Sequence, residues 1–212
     1  MQHPTQSPDP ATDIFIQRSG HIVDRGMKTP ADWSIFDVAL ATSNICRFGG
    51  HLPPGTWYSV GEHQIHCSEQ LELLYPDATL DELRWALLHD AAESELGDVP
   101  SPHKLLFPEY KSLELRVEEV MAQAFNLSWP MPPRVKAIDR RMLATEATQF
   151  FPASTHPHWL TYGDPIPDLT IPDPRFHITT FMGRRSRRTS DPDLVREAYL
   201  DRFNALTSRL PR

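Results

Sequence analysis

The stretch Leu83-Arg84-Trp85-Ala86-Leu87-Leu88-His89-Asp90-Ala91-Ala92-Glu93 decides how the rest of the chain is read. It begins as an apolar run of the kind that forms a core helix. It then sets an imidazole and a carboxylate side by side, with a second carboxylate one turn further on. Burying such groups without partners costs roughly 2–7 kcal/mol for a neutral polar group and more for a charge. A bound metal ion is the simplest compensation. His89 and Asp90 are therefore candidate ligands, with the apolar run before them as a rigid mount.

The chain has 212 residues, 40% hydrophobic and 23% charged. These values suit one globular domain with a real core. No apolar run approaches the roughly 20 residues that cross a bilayer as a helix. Residues 1–13 carry Pro4, Pro8 and Pro10 and no apolar segment of signal-peptide type. They read as a flexible tail, and residues 14–212 as a single domain with no membrane partner and a cytoplasmic location. The net charge of -7 argues against general nucleic-acid binding. The local basic run Arg184–Arg188 reads as solvated, or as reaching an anionic substrate or partner chain. Cys46 and Cys67 fall inside predicted helices and read as small core residues rather than a disulfide.

Helical spacing organises the chain around the opening stretch. Ser34 with Asp37 resembles a capping box and starts a first helix, which ends near Arg47-Phe48-Gly49-Gly50. Ser59 with Glu62 caps a second, from about Val60 to Leu74, carrying His63 in its first turns. Thr79 with Glu82 caps a third, which contains His89 and Asp90 and closes at Gly97-Asp98-Val99-Pro100-Ser101-Pro102. A fourth covers Glu109–Phe125 and a fifth Arg134–Phe150, the latter bearing Asp139. Phe15 to Asp24 alternates weakly and reads as a short extended piece. Residues 151–190 are dense in proline, lack helical periodicity and read as a long surface excursion. Ser190 with Asp193 then caps a last helix in which Leu194, Ala198, Phe203 and Leu206 face inward. The expected architecture is an all-α, single helical bundle.

His63, His89, Asp90 and Asp139 make a candidate ligand set drawn from three helices. A divalent ion favours nitrogen and oxygen donors converging from rigid elements. Four protein donors leave coordination positions open in an octahedral site, where water and a phosphate oxygen can bind.

The order His…His-Asp…Asp resembles the HD-domain superfamily of metal-dependent phosphohydrolases, which are all-helical. The surroundings narrow the likeness. Tyr58-Ser59-Val60-Gly61-Glu62-His63, Ala86 to Glu93, Gly97 to Lys104 and Lys136-Ala137-Ile138-Asp139 are similar to the bacterial 5'-deoxynucleotidases. They are similar also to phage-type HD hydrolases of deoxynucleotides, as is Asn44 to His51. The likeness covers about residues 20–150 and leaves out the proline-rich excursion.

The resemblance implies a hydrolase of phosphate esters or anhydrides of deoxynucleotides. It implies His63, His89, Asp90 and Asp139 as ligands of one divalent ion (Mn, Co, Fe, Ni or Zn, with Mg as a further option). It gives Glu93 and Asp98 roles in proton transfer and water positioning, and Arg47 and Lys104 phosphate contacts. Phe48 stands where the deoxynucleotidases carry a tryptophan beside the sugar. The family also implies a nucleotide substrate and a homodimer. Two other readings keep the same bundle: a hydrolase of a signalling nucleotide, and a non-catalytic module that binds metal or nucleotide.

Overall fold

The computed structural model of the protein describes residues 14–20, 22–24, 29–177 and 188–210. The fold is all-α. A hairpin of β1 (Ile14–Ile16) and β2 (Ile22–Asp24) precedes α1 (Ile35–Asn44). After β3 (Thr56–Trp57) come α2 (Val60–Leu74), α3 (Leu80–Leu88), α4 (Glu93–Leu96) and α5 (Ser101–Lys104). Two long helices follow, α6 (Pro108–Ala124) and α7 (Pro133–Phe150). The short α8 (His156–Trp159), the strand β4 (Arg188–Thr189) and α9 (Pro192–Thr207) complete the described chain. β4 pairs in parallel with β3. The weak alternation over Phe15–Asp24 is thus a hairpin rather than one extended piece. No described helix is long and apolar enough to cross a membrane.

The core forms around α3. Every residue from Leu83 to Leu88 is buried. The polar ends of this run are matched: Arg84 donates to the carbonyls of Phe125 and Asn126, and the Trp85 indole donates to the Ser128 carbonyl. Arg84 thereby also places a cation at the C-terminal end of α6, where the helix dipole favours it. α2, α7 and α9 pack against this helix, with Val135, Ile138 and Met142 of α7 buried as their spacing predicts.

Several local expectations are corrected. Thr79 and Glu82 form both halves of a capping box. Ser59 accepts from the Glu62 amide, but the Glu62 carboxylate turns away to the Asp173 amide and the Ser190 hydroxyl. Ser34 makes no side-chain cap, and Asp37 instead accepts from the Ser19 amide. The last helix is capped by Asp191, because the Ser190 hydroxyl is spent on Glu62. Of its expected inward residues, Leu206 is buried and Ala198 and Phe203 pack against the core, joined by the buried Val195 and Tyr199, while Leu194 is exposed. Cys46 lies past the end of α1, while Cys67 is buried in α2.

The excursion after α7 is better anchored than its composition predicts. Arg141 and Gln149, at the ends of a stripe along α7, donate to the carbonyls of Asp164 and Leu169. Thr145 and Gln149 accept from the amides of Ile166 and Ile171. Ile166, Ile171 and Phe176 are buried in the core. Arg175 then clasps Glu69 of α2 with two hydrogen bonds. Of the Arg184–Arg188 run, residues 184–187 and the side chain of Arg188 lie outside the described residues.

One close approach sets the position of α2. A β-carbon on Gly61 would lie 3.0–3.2 Å from the side chain and backbone of Ser43 in α1. Gly61→Ala is therefore expected to destabilise the fold by about 1–3 kcal/mol through overpacking, seen as a lowered thermal midpoint. An unchanged midpoint would show that α1 can retreat without cost.

Candidate metal centre

His63 lies in the first turns of α2, and packing holds it fully buried. His89 and Asp90 do not continue α3 as an ordinary helix. The helix ends at Leu88, and His89 keeps helical dihedrals as its cap. The next amide bonds are of the tighter i to i+3 kind: Ala91 to Leu88, Glu93 to Asp90 and Ser94 to Ala91. This tightened turn replaces the uninterrupted third helix of the sequence reading. It delivers His89, Asp90 and Glu93 together at the start of α4. Asp139 comes from the middle of α7.

The four candidate ligands converge. The Nε2 atoms of His63 and His89 are 3.2 Å apart. Asp90 Oδ2 lies 3.7 Å from His63 Nε2 and 3.2 Å from His89 Nε2. Asp139 Oδ1 lies 3.4 and 3.9 Å from the same two nitrogens. Residues from α2, the α3–α4 turn and α7 thus reach one point.

The outer nitrogens of both rings are already engaged. His89 Nδ1 is 2.9 Å from the Ala86 carbonyl, which can only accept, so Nδ1 carries a proton. His63 Nδ1 is in close contact with Glu146, a carboxylate that also accepts from the Tyr58 hydroxyl. Each Nδ1 is therefore a donor, and in the neutral rings each Nε2 presents a lone pair. Two lone pairs facing each other in a buried site repel unless a proton or a cation lies between them. The donor chemistry fits a divalent ion: two imidazole nitrogens and two carboxylate oxygens.

Cys67 is a further neighbour. His63, Cys67 and His89 form a buried group that could hold a metal ion. The Cys67 sulfur lies 3.5 Å from His63 Nε2 and 3.9 Å from Nδ1. Near-equal distances place it over the ring rather than along the Nε2 lone pair. Burial pushes its thiol well above the usual range, with Asp139 and Glu146 adding to the effect.

Charges around the centre are mutually dependent. Burial would lower the His89 pKa, but Asp90 and Asp139 overcome it and lift it to about 9. Metal ligation needs the neutral ring, so an ion and this proton compete, and metal uptake releases protons. Burial disfavours the charged forms of Asp90 and Asp139, yet the two histidines hold both carboxyls low. Glu146, buried and opposed by desolvation, is held low by Arg47, His63 and Tyr58. Glu93 goes the other way: desolvation, then Asp90 and Asp98, push it well up. Its Oε2 is buried with no hydrogen-bond partner among the described residues. Desolvation also raises Asp98.

The centre opens into a cleft of about 250 Å³. Asp90, Asp139, Glu93 and Asp98 line it together with the cations Arg47, Lys104 and Lys136. Arg47 sits in a turn of four residues after α1, where Phe48 adopts a left-handed conformation at φ 57°. Its Nε and one terminal nitrogen bind Glu146, and the other faces Asp90 at 3.6 Å. Lys104, from α5, pairs with Glu114 and lies 3.9 Å from Glu93. Phe48 lines the cleft and packs edge-on against Phe151. The structure thus brings all nine sequence-derived candidates to one centre and its cleft.

Sequence reasoning gave no role to Glu146, Tyr58, Lys136, Trp159 or Tyr162. Glu146 had a signal: it lies two turns beyond Asp139, so both share one face of α7 with Lys136 and Leu143. Trp159 and Tyr162 sit in the excursion and had none. His66 is fully buried beside Glu62, and His51 is exposed.

No family model matches the chain. It is 42% identical over 115 residues to the uncharacterized protein YfdR of Escherichia coli (strain K12), a match covering 54% of this chain and 60% of that protein. It is 31% identical over 159 residues to the uncharacterized protein RCAP_rcc00048 of Rhodobacter capsulatus, covering 71% of this chain and 80% of that protein. The chain belongs to the family of this Rhodobacter protein. Neither relative's name states an activity.

Glu146→Gln keeps the shape but weakens the hold on His63 Nδ1–H. It is expected to lower affinity for Mn²⁺ or Zn²⁺ by 10- to 100-fold, measured by calorimetric titration. Unchanged affinity would mean that packing alone orients the ring. A second test concerns Glu118 of α6, which burial and Glu114 push up to about 7. Its unfolded value is about 4.3, so the stability it contributes is full below that and lost as pH rises through 7. Glu118→Gln should therefore raise the thermal midpoint more at pH 8 than at pH 5. An equal change at both pH values would count against desolvation of this half-buried carboxyl.

Proposed function

We propose that this chain is an HD-type, metal-dependent phosphohydrolase acting on a nucleotide, with His63, His89, Asp90 and Asp139 as the ligands. One observation carries the reading: two imidazole nitrogens and two carboxylates converge at the floor of a cleft that also holds cations and a carboxyl with a raised pKa. A divalent ion bound there would supply Lewis-acid polarisation of a phosphoryl oxygen and a nucleophile from water at neutral pH.

The remaining work falls to the chain itself. Arg47 turns one terminal nitrogen toward the centre, and Glu146 fixes its orientation from behind. Such a prepaid guanidinium suits phosphoryl oxygens, which gain charge as the reaction proceeds. Lys104 and Lys136 add positive charge along the cleft. Desolvation, with Asp90 and Asp98 close by, favours a proton on the Glu93 carboxyl. It can deliver that proton to the leaving oxygen. Asp98 lines the same wall and can orient water. A buried carboxyl with a raised pKa and an unpartnered oxygen beside four candidate ligands favours catalysis over simple binding, since a binding module has no use for an acid-base group there.

The test is phosphate release from deoxynucleoside and ribonucleoside mono- and triphosphates after reconstitution with Mn, Co, Zn or Mg. Orthophosphate, pyrophosphate and triphosphate are read separately. His89→Ala and Asp90→Ala should abolish both metal binding and release. Glu93→Gln should retain metal and lose about 10²- to 10⁴-fold in rate. Full turnover by metal-stripped Asp90→Ala protein would sink the proposal.

A further inference from the structure

The excursion after α7 carries aromatic side chains to the mouth of the cleft. Trp159, at the end of α8, and Tyr162 line the same cavity as Asp90, Asp139 and the three cations. The indole is held from behind, stacked on Phe151 at 5.4 Å and 19°. Phe48 meets it edge-on at 6.3 Å, and the Tyr162 ring lies 6.1 Å away at 31°. Tyr162 remains 38% exposed, and Trp159 is half-buried.

This placement is built rather than incidental. The backbone around these rings is tied to α7 by Arg141, Thr145 and Gln149. A β-carbon on Gly163 would lie 3.2 Å from the Arg141 side chain, so the segment lies tightly against the helix just after Tyr162. Ile166, Ile171 and Phe176 already anchor the excursion in the core. Trp159 and Tyr162 are not needed for that anchoring, and they face the cleft instead.

We propose that Trp159 and Tyr162 form a stacking wall for a planar ring on the ligand, so the cleft takes a nucleobase-bearing phosphate rather than an aliphatic phosphate ester. The inference rests on the phosphohydrolase reading for the phosphate end only. The cleft is amphipathic in the matching way, with Arg47, Lys104 and Lys136 set among the carboxylates at the metal end and aromatic rings at the mouth. Aromatic faces bind any base, because stacking does not read hydrogen-bonding edges. The cavity of about 250 Å³ lies just below the usual range of ligand sites, roughly 300–1,000 Å³. That size suits one base with its sugar and phosphate, not a polymer.

The experiment compares two probes, 2'-deoxyadenosine 5'-monophosphate and 2-deoxyribose 5-phosphate, which differ by the base alone. Binding is measured by calorimetry in the presence of Mn²⁺ on the Glu93→Gln protein, so that turnover does not consume the probe. The nucleotide is expected to bind at least tenfold more tightly than the sugar phosphate. In Trp159→Ala added to that background, this preference should disappear while sugar phosphate affinity stays the same. Tyr162→Ala, at an exposed position, should lose part of the preference without any change in thermal midpoint. The proposal is overturned if both probes bind equally, if neither binds at millimolar concentration, or if Trp159→Ala weakens both alike. Failure of the hydrolase reading looks different: metal-loaded native protein would release no phosphate from either probe, and the preference in binding would still stand.

Discussion

Two imidazole nitrogens held 3.2 Å apart in a buried site are the constraint on which the rest of the structure depends. Each ring has its outer nitrogen engaged, His63 by Glu146 and His89 by the Ala86 carbonyl. Neither ring can turn away without stranding a buried donor, which costs about 1–3 kcal/mol. The facing lone pairs therefore require a positive charge, and Asp90 and Asp139 stand where they can share it. The apolar run of α3, buried throughout, supplies the stiffness that keeps this geometry from relaxing.

Glu146 joins that constraint to the cleft. One fully buried carboxylate accepts from His63, Tyr58 and Arg47. Orienting the imidazole and orienting the guanidinium are thus one interaction. Truncating it would strip Arg47 of its nearest buried carboxylate and leave the Tyr58 hydroxyl and His63 Nδ1–H without their acceptor, a loss of the order of 3–5 kcal/mol. The stability of the bundle and the readiness of the site cannot be separated here. Glu62 plays a similar part behind the centre: it draws Asp173 and Ser190 of the late chain onto α2.

Much of this was legible in the sequence. The spacing of Val135, Ile138 and Met142 marked the inward face of α7. Thr79 with Glu82 marked the start of α3. The adjacency of His89 and Asp90 marked the candidate centre. Signals failed where a side chain had two possible partners. Ser59, Ser34 and Ser190 all preceded an acid three residues on, the pattern of a capping box, yet each acid or hydroxyl found a partner distant in sequence. A local pattern states what a residue can bond, and burial decides what it does bond. The excursion failed for a related reason. Its own helix and strand, α8 and β4, are short, and polar side chains of α7 bind the backbone between them, so no periodicity records its order.

The sequence by itself determined the helical class, the order of the main elements and the four candidate ligands, because periodicity and residue chemistry are local properties. Tertiary structure decided what joins them. It tightened the turn after Leu88 so that His89, Asp90 and Glu93 arrive together. It set Glu146 behind His63, and it brought Trp159 and Tyr162 from a proline-rich segment to the mouth of the cleft. They include contacts between residues 83 positions apart, as for His63 and Glu146. Contacts over such separations arise only when the bundle has packed, since packing alone pairs buried charges whose individual desolvation would otherwise oppose folding.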